Sequence, residues 1–421
     1  MITIGLDFGT HQTKVCAEYK NGVELNYTFF TFLDSTGKQQ YTLPSIIHRR
    51  PDGRMDYGYI PANSNGEIIR YFKQATFTSS NIGLKQADAM YYSVWYLAFI
   101  LFDLEEKYGT EFTIQMGVPT DGTRLTHQKQ LAVRLLAAAY KLVEEVFEND
   151  KQAFLDKTWG ELWDMTKIPD YSINLKEEYG ILVFPEAYAC LMPLISSSKV
   201  TSGMSLMVDI GGGTTDISFF TIIDHKPRVY DFTSVNKGLN YLTLAERSAH
   251  DTRTDSNIKI SSEIDKTRKG DFTNSVNQVC VNLINKLRSE FKHQCNLRVE
   301  RLMDALKTRP IIYTGGGSTF HELRKGYGGF RDVIHISQKE WRTKAIIDMK
   351  KIEILGLCPI LSTAYGLSIS VPDDNIKCSP FRDVFESIRG LEEENSKKTV
   401  DSNFGSAYDG FNYADDWDAW K

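Results

Sequence analysis

Two short segments of the chain combine an aspartate, glycines and threonines in the same order. Residues 4–14 read IGLDFGTHQTK and include Asp7, Gly9 and Thr10, while residues 206–216 read LMVDIGGGTTD. Glycines in a tight turn let backbone N–H groups approach one point and form an anion-binding nest, to which threonine hydroxyls can add hydrogen bonds. The two segments therefore predict two phosphate-binding loops.

The residues expected to contact phosphate come from both loops. Neither loop contains GK[ST] or GxGxxG, so neither is a Walker A loop or a Rossmann fingerprint. His11 is expected to shape its turn rather than to act as a catalyst. The candidate phosphate-binding residues are Asp7, Gly9, Thr10, His11, Lys14, Gly211, Gly212, Gly213, Thr214, Thr215 and Asp216.

The two loop aspartates predict a metal site. Asp7 and Asp209, one in each loop, are expected to face each other across the phosphates. Two carboxylates in that position would repel a nucleotide unless a cation lay between them. Mg²⁺ suits this arrangement because it keeps several of its waters, which carboxylates can hold. We therefore expect Asp7 and Asp209 to bind Mg²⁺ through water.

A third glycine-rich turn follows another apolar strand. Residues 311–313 form the expected strand, and Gly315, Gly316, Gly317 and Ser318 follow it. A single DxGT turn is common in hairpins and is weak evidence by itself. The combination of all three turns makes a nucleotide site the favoured interpretation.

Apolar strands are predicted on both sides of the two aspartate loops. In both places an apolar strand leads into the aspartate loop and a second strand follows it, at 13–19 and at 216–223. The chain therefore contains one internal duplication. Two like halves facing each other would form a cleft. Apolar periodicity predicts long helices over 85–108 and 124–147. Residues 150–180 have no clear period and are expected to form an irregular insertion.

Composition and charge exclude several classes of protein. The chain has 421 residues and a net charge of −5. From residue 390 onward there are eight acidic and three basic residues, so the rest of the chain is neutral and offers no general basic face for nucleic acid. The longest apolar run, 94–102, is too short to span a membrane. No two of the six cysteines have CxxC spacing, and no signal peptide is evident, so we expect a reduced, cytoplasmic protein.

The motifs together resemble those of a known superfamily. The order DFGT, VP, PEAYA, DIGGGTTD, TGGGST and TAYG, spread over residues 4–370, resembles the actin/hexokinase/Hsp70 ATPase superfamily. Within it the chain is most similar to the nucleotide-binding domain of Hsp70 (DnaK-like) chaperones. The resemblance implies an α/β, two-lobed actin-like ATPase fold, in which duplicated RNase H-like domains have mixed five-stranded sheets flanked by helices.

The same resemblance implies domain boundaries. Lobe I would cover 1–190 and be completed by about 361–389, and lobe II would cover 191–360. Residues 390–421 would form a disordered acidic and aromatic tail, because this segment has too little aliphatic content to pack.

The resemblance also implies ATP or ADP as the ligand and assigns roles to individual residues. Glu186 resembles the carboxylate that positions the attacking water, and Asp209 would assist it. Lys73 resembles the Hsp70 lysine that reaches the γ-phosphate, whereas Lys14 resembles the lysine of the first loop of actin. The turn beside the adenosine would contain Gly315, Gly316, Gly317 and Ser318.

The departures from Hsp70 affect the expected function. The sequence shows no leucine-rich linker and no peptide-binding β-sandwich after residue 371. We therefore expect Mg²⁺-dependent ATP hydrolysis that opens and closes the lobes as a switch for a protein partner. An actin-like filament-forming ATPase of the plasmid-segregation or cytoskeletal type is the main alternative, and a small-molecule kinase and a binding-only protein are weaker ones. Neither nucleic acid nor membrane is expected as a partner.

The tail contains a candidate docking motif. Residues 404–420 alternate six aromatic residues with four aspartates. Acid-flanked aromatic residues remain soluble and can dock in a groove. The partner in such a contact could be another protein or a cleft of this protein itself.

Overall fold

The computed structural model describes most of the chain. The described residues are 2–61, 64–78, 83–120, 124–194, 205–223, 226–242, 250–251, 264–295, 309–330, 332–336, 341, 346–374 and 376. The predicted tail at 390–421, including the candidate docking motif at 404–420, lies outside them.

The strands fall into two main sheets and two small ones. In chain order they are β1 Ile2–Asp7, β2 Gln12–Asn21, β3 Glu24–Phe29, β4 Phe32–Leu33, β5 Gln39–Gln40, β6 Leu43–Pro44, β7 Ile46–Arg49, β8 Met55–Tyr57, β9 Glu67–Arg70, β10 Phe112–Val118, β11 Ile181–Pro185, β12 Ser205–Ile210, β13 Thr215–Ile223, β14 Lys226–Val235, β15 His250–Asp251, β16 Pro310–Thr314 and β17 Asp332–His335.

The helices connect and cover these strands. The α-helices are Phe72–Phe77, Gln86–Tyr108, Leu125–Tyr140, Lys151–Leu155, Trp159–Met165, Ile173–Glu178, Glu186–Ala189, Leu239–Leu242, Lys266–Cys295, Met349–Ile354 and Cys358–Ser368. A π-helical turn covers Lys141–Val146, and 3₁₀ turns cover Met192–Leu194, Gly316–Thr319 and His321–Leu323.

The two main sheets have the same topology. The first has the order β11-β10-β1-β2-β3, and the second has the order β14-β13-β12-β16-β17. In each sheet the first three strands in sequence pair antiparallel, and the next two join parallel to the first. The predicted fold class, a duplicated α/β architecture with mixed sheets, is confirmed. The second sheet has the predicted five strands, whereas the first has six, because the short strand β6 also pairs with β2.

The duplication extends to the register of the two hairpins. Asp7 pairs with Lys14 across β1 and β2, and Asp209 pairs with Asp216 across β12 and β13. Each pair is seven positions apart in the chain, so the two glycine turns have the same length. Each aspartate therefore occupies the same place at the end of the first strand of its sheet.

The Gln86–Tyr108 helix forms the centre of the first core. Trp95 and Tyr96 are fully buried in it, together with most of the apolar run predicted at 94–102. None of the helices in the described part of the chain combines the length and apolar character that crossing a bilayer requires. The apolar run is thus accounted for by packing against the first sheet and its neighbouring helices.

A long helix covers the second sheet. In the Lys266–Cys295 helix, the buried residues Phe272, Val276 and Cys280 are four positions apart, which places them on one face. That face packs against the apolar side chains of β12, β13 and β16. The helix is described as far as Cys295, and residues 296–308 lie outside the described ranges.

The Cys358–Ser368 helix returns the chain to the first sheet, where it packs on β1 and β2. A Cβ atom on Gly5 would lie 2.3 Å from the backbone nitrogen of Ser368, and one on Gly366 would lie 1.9 Å from the carbonyl oxygen of Ala189. Only glycine permits such close backbone contacts. This helix therefore fits tightly between the first sheet and the segment that follows β11.

The region 150–180 is more regular than the sequence indicated. It contains three short helices, and the second has a capping box in which Thr158 and Glu161 exchange hydrogen bonds. Trp163 from this helix stacks on Tyr91 at 3.9 Å between ring centroids. The prediction of an irregular insertion was wrong because helices of one or two turns are too short to show a hydrophobic period.

Candidate active site

A cavity lies between the two glycine turns at the ends of β1 and β12. Both sheets and the Cys358–Ser368 helix contribute to its wall. It is lined by Asp7, Gly9, Thr10, His11, Gln12, Lys14, Lys73, Glu186, Asp209, Gly211, Gly212, Thr214, Asp216, Leu239, Gly315, Gly316, Thr319, Ile360 and Thr363. Most of the residues selected from the sequence thus meet at one place.

Four of the selected residues do not line the cavity. The Thr215 hydroxyl donates to the carbonyl of Lys237 at 2.8 Å, and the Ser318 hydroxyl donates to the carbonyl of Gly315 at 2.7 Å. Gly213 and Gly317 also lie outside the lining. The hydroxyls of Thr215 and Ser318 stabilise the turns rather than pointing into the cavity.

The two glycine turns touch each other. A Cβ atom on Gly212 would lie 2.4 Å from the ring of His11, and one on Gly213 would lie 3.2 Å from the hydroxyl of Thr10. The pKa of His11 is lowered to about 4, mainly by burial; a hydrogen bond with Asn240 opposes the shift, and the charges of Arg70 and Lys14 add to it. His11 is therefore a neutral side chain that packs one turn against the other.

Lys14 and Asp7 form an ion pair inside the first turn. The Lys14 ammonium donates to Asp7 Oδ2 at 2.9 Å, and both side chains are largely buried. Their position follows from the β1–β2 register, which places them directly opposite each other. The aspartate predicted to hold a metal through water thus has a cation beside it.

Lys73 and Glu186 form a second, more deeply buried ion pair. The Lys73 ammonium donates to Glu186 Oε1 at 2.5 Å, and the two side chains are only 5% and 10% exposed. Burial by itself would lower the pKa of Lys73, but the carboxylates of Glu186 and Asp7 raise it above its usual value. Burial raises the pKa of Glu186, and the ammonium of Lys73 opposes that shift.

Asp209 is held by two donors that sequence reasoning missed. The Cys190 thiol donates to Asp209 Oδ2 at 3.0 Å, and the Thr363 hydroxyl donates to the same oxygen at 3.3 Å. Burial raises the pKa of Asp209, and the Cys190 hydrogen bond acts in the opposite direction. Gly315 has φ +80°, and a Cβ there would lie 2.1 Å from Asp209 Oδ1, so a glycine is required beside this carboxylate.

The carboxyl group of Asp216 has a strongly raised pKa. Burial raises its pKa to about 8, and the nearby carboxylates of Glu186 and Asp209 contribute to the shift. Its oxygens accept from the backbone N–H of Thr120 at 3.3 Å and from the Thr214 hydroxyl at 3.2 Å. Near neutral pH this carboxyl group is therefore substantially protonated.

The charges of the cavity suit a divalent cation. Four acidic residues and two lysines line it, and with Asp216 protonated the other three carboxylates still outnumber the two ammonium groups. No group of three His, Cys, Asp or Glu side chains among the described residues converges closely enough to hold a metal directly. A cation that kept most of its waters and touched the carboxylates through them would fit this donor set.

Hydrogen bonds connect the first sheet to the second next to Glu186. The Ser218 hydroxyl on β13 donates to the carbonyl of Ala187 at 2.7 Å. The backbone N–H of Ala187 donates to the Thr120 hydroxyl at 3.1 Å, and Thr120 also contacts Asp216. A movement of one sheet relative to the other would therefore displace the short helix that carries Glu186.

Several residues of the lining had no visible signal in the sequence. The N–H groups of Leu239 and Asn240 donate to the carbonyls of Gly211 and Gly212 at 3.0 and 2.9 Å, and this contact brings Leu239 to the cavity. Ile360 and Thr363 reach it from the Cys358–Ser368 helix. No motif marks these positions, because each depends on a contact between segments that are distant in the chain.

Comparisons with known proteins were made for the sequence and for the structure. No protein-family model matches the chain, and no curated protein sequence matches it. One similar solved structure is described as a MamK double helical filament, at 14% identity and a TM-score of 0.43, covering 88% of this chain and 99% of that one. Another is the ethanolamine utilization protein EutJ from Carboxydothermus hydrogenoformans, at 14% identity and a TM-score of 0.36, covering 88% of this chain and 89% of that one.

Proposed function

We propose that this chain binds ATP with Mg²⁺ between its two sheets and hydrolyses it slowly to ADP and phosphate. The observation that carries the proposal is the meeting of two hairpin turns of equal length in one cavity. Asp7 and Asp209 lie at equivalent positions in these turns, and both line the cavity. Such a pair of turns offers backbone N–H groups from two sides to a chain of phosphates.

The proposed chemistry is in-line attack of water on the γ-phosphorus. The new bond forms between the water oxygen and phosphorus, the bond to the β–γ bridging oxygen breaks, and ADP leaves. Glu186 orients the water and accepts its proton, with Asp209 assisting, and Lys73 and Lys14 offset charge on the transferring group. When bound, Mg²⁺ would neutralise phosphate charge while Asp7 and Asp209 hold its waters.

We further propose that the output is a change in lobe position that a protein partner reads, as in an Hsp70-like switch. The buried Lys73–Glu186 pair supports this reading, because it brings the lysine that resembles the Hsp70 lysine next to the carboxylate proposed to position the water. The hydrogen bonds from Ser218 and Thr120 to Ala187 would couple closure to the position of Glu186. The acidic tail at 404–420 is a candidate contact for the partner, and a cytoplasmic location belongs to the same proposal.

A second candidate is a filament-forming ATPase of the actin-like kind. The observation that favours it is Lys14, which lines the cavity beside Asp7 and resembles, in sequence, the lysine of the first loop of actin. Light scattering at rising protein concentration with ATP and Mg²⁺ separates the two candidates. A filament former will scatter more above a critical concentration, whereas a switch will not.

Phosphate release is the direct test of the proposed reaction. We expect Glu186→Gln to lower turnover by about 10²- to 10⁴-fold, the usual contribution of a positioned acid–base group. Glu177→Gln makes the same chemical change on an exposed helix and is expected to leave turnover unchanged. If Glu186→Ala and Asp209→Ala both left turnover at the level of the unaltered chain, the mechanism would be wrong.

Nucleotide binding should be measured apart from turnover. Titration calorimetry with ATP in the presence and absence of Mg²⁺ reports binding directly. We expect Asp7→Asn to weaken the dependence of ATP affinity on Mg²⁺, because this carboxylate would hold waters of the metal. Absence of ATP binding by the unaltered chain would contradict the proposed function as a whole.

A further inference from the structure

A groove lies outside the cavity described above, between the loop that contains β5 and the Met349–Ile354 helix. Its volume is about 930 Å³, within the usual range for ligand-binding clefts. One wall is formed by residues 38–42. The other wall is formed by Asp348, Lys350, Lys351, Ile354, Leu355 and Leu357.

The groove exposes aliphatic side chains. Ile354 is 75% exposed and Leu355 is 55% exposed, and both line the groove. Ile347, just before the helix, is 45% exposed. Apolar groups grouped in this way on a surface mark interaction sites. The wall is therefore suited to covering aromatic or aliphatic side chains.

The charge of the groove is positive. Lys38, Lys350 and Lys351 line it and are exposed, and Asp348 is the acidic residue of the lining. The ammonium of Lys351 lies 5.3 Å from the centroid of the Tyr41 ring, which belongs to the opposite wall. Such a surface complements a segment that carries carboxylates and aromatic rings.

The wall is held in place by the fold. The backbone N–H of Ile347 donates to the carbonyl of Tyr27 on β3 at 2.9 Å. Ile352, on the inner face of the helix, is fully buried and belongs to a core cluster with Tyr41. The exposed face of this helix is thus presented by a rigid support, which lowers the cost of binding a flexible segment.

We propose that the groove is the docking site of the tail of this same chain, residues 404–420. This segment contains Asp409, Asp415, Asp416 and Asp418 and no basic residue, and it interleaves them with six aromatic residues. The aromatic rings cover Ile354 and Leu355, and the aspartates face the three lysines. Docking covers an apolar surface that a partner could reach only after the tail is released.

The length of the chain permits this contact. About 28 residues separate residue 376, the last one described, from residue 404, and at about 3.3 Å per residue they reach up to about 90 Å. Tethering of this kind corresponds to a millimolar effective concentration, which favours the chain's own tail over that of a second copy.

Zero-length cross-linking of the full chain tests the proposal. A carbodiimide joins a carboxylate to a lysine only when the two are in contact. We expect cross-links from the tail aspartates to Lys38, Lys350 or Lys351, mapped by mass spectrometry. Their yield should not change when the protein is diluted, because the contact is within one molecule.

Two double variants test the charge contacts and the apolar contacts of the docked tail separately. Lys38 remains available in Lys350→Glu/Lys351→Glu, yet its cross-links should fall about tenfold, because two weak charge pairs are replaced by repulsion. The matched control Lys20→Glu/Lys226→Glu makes the same charge change at exposed sites elsewhere and should leave the yield unaltered. Trp417→Ser/Trp420→Ser keeps every reactive group and should lower the yield severalfold through lost apolar contact.

Three results would overturn the proposal. The first is the absence of cross-links between the tail and the groove in the full chain. The second is a set of groove cross-links that neither double substitution reduces. The third, in a mixture of isotopically heavy and light chains, is the finding that the cross-links join two molecules, which would assign the groove to a second copy.

Discussion

The Lys73 ammonium lies 2.5 Å from Glu186 Oε1, although 113 residues separate the two in the chain. The first turn of the Phe72–Phe77 helix carries the lysine, and the Glu186–Ala189 helix begins with the glutamate. Both side chains are buried, so neither charge can be stabilised by bulk water. The residue proposed to orient water and a residue proposed to contact phosphate are thus directly connected.

Removing one charge of the Lys73–Glu186 pair should lower the free energy of unfolding more than removing both charges does. We expect Lys73→Met or Glu186→Gln alone to lower the free energy of unfolding by about 3 to 5 kcal/mol, because each leaves its partner buried without a counter-charge. The double variant Lys73→Met/Glu186→Gln should be more stable than the sum of the two losses predicts. Denaturant unfolding of all four chains measures this coupling. Strictly additive losses would show that the pair contributes no specific interaction.

The contact between the two glycine turns gives a second prediction. Gly212→Ala should destabilise the chain by about 1 to 3 kcal/mol and weaken ATP binding, because the new Cβ overlaps the His11 ring. His11→Ala/Gly212→Ala removes the overlap and should recover much of the stability. Thermal unfolding and ATP titration measure both effects.

Gly270→Ala is the matched control for that substitution. A Cβ at Gly270, inside the Lys266–Cys295 helix, would meet no atom within 4 Å in the described part of the chain. Alanine there should stabilise the chain by about 0.5 to 1 kcal/mol, because it restricts the unfolded state. If His11→Ala/Gly212→Ala were no more stable than Gly212→Ala, the overlap with His11 would not be the cause.

A buried carboxyl group away from the cavity gives a pH-dependent prediction. Within the described residues, neither oxygen of Glu105 has a hydrogen-bond partner, and burial, followed by the charge of Glu144, raises its pKa from 4.5 to about 7. Because the pKa of Glu105 is higher in the folded chain than in the unfolded chain, its contribution to the free energy of unfolding is fully present below about pH 4.5. This contribution is lost as pH rises through about 7.

We therefore expect Glu105→Gln to stabilise the chain at about pH 8 by about 1 to 2 kcal/mol relative to its effect at about pH 4. Denaturant unfolding at the two pH values measures the difference. Glu111→Gln changes an exposed carboxylate and serves as the control. A pH-independent effect of Glu105→Gln would contradict the assignment.

The Cys190 thiol should influence turnover through its effect on the pKa of Asp209. Because the Cys190 hydrogen bond holds the pKa of Asp209 down against burial, Cys190→Ala should raise that pKa. The acid limb of the turnover–pH profile should then move to higher pH. Cys280→Ala removes a buried thiol from the second core, and it should lower stability without moving the profile. An unchanged acid limb in Cys190→Ala would show that the thiol has only a packing role.

Much of the site could be read from the sequence because its parts are local. The glycine turns and the strands around them depend on residues within about ten positions of each other. The register that opposes Asp7 to Lys14 and Asp209 to Asp216 follows from two turns of equal length. The duplicated fold was predicted from the same repetition, and the two sheets confirm it.

Most sequence-based predictions that were wrong or incomplete concern features that depend on contacts between segments distant in the chain. The helices within 150–180 are stabilised by caps and by contacts such as Trp163 on Tyr91, which no short window can show. The Thr215 hydroxyl was expected to bond phosphate, but it donates to the carbonyl of Lys237, 22 residues further along the chain. Ser318 was expected beside the adenosine, and its hydroxyl instead donates to the carbonyl of Gly315 within its own turn.

The sequence by itself determined that two aspartate-bearing glycine turns would be present and that their surroundings would be alike, because turn conformation and strand pairing depend on nearby residues. Only the tertiary structure decided that Lys73 meets Glu186 and that Cys190 and Thr363 hold Asp209. Two of these contacts join residues more than a hundred positions apart and the third joins residues 19 positions apart, and all depend on how helices pack against sheets. Packing of that kind is set by shape and burial across the whole core, which no local pattern records.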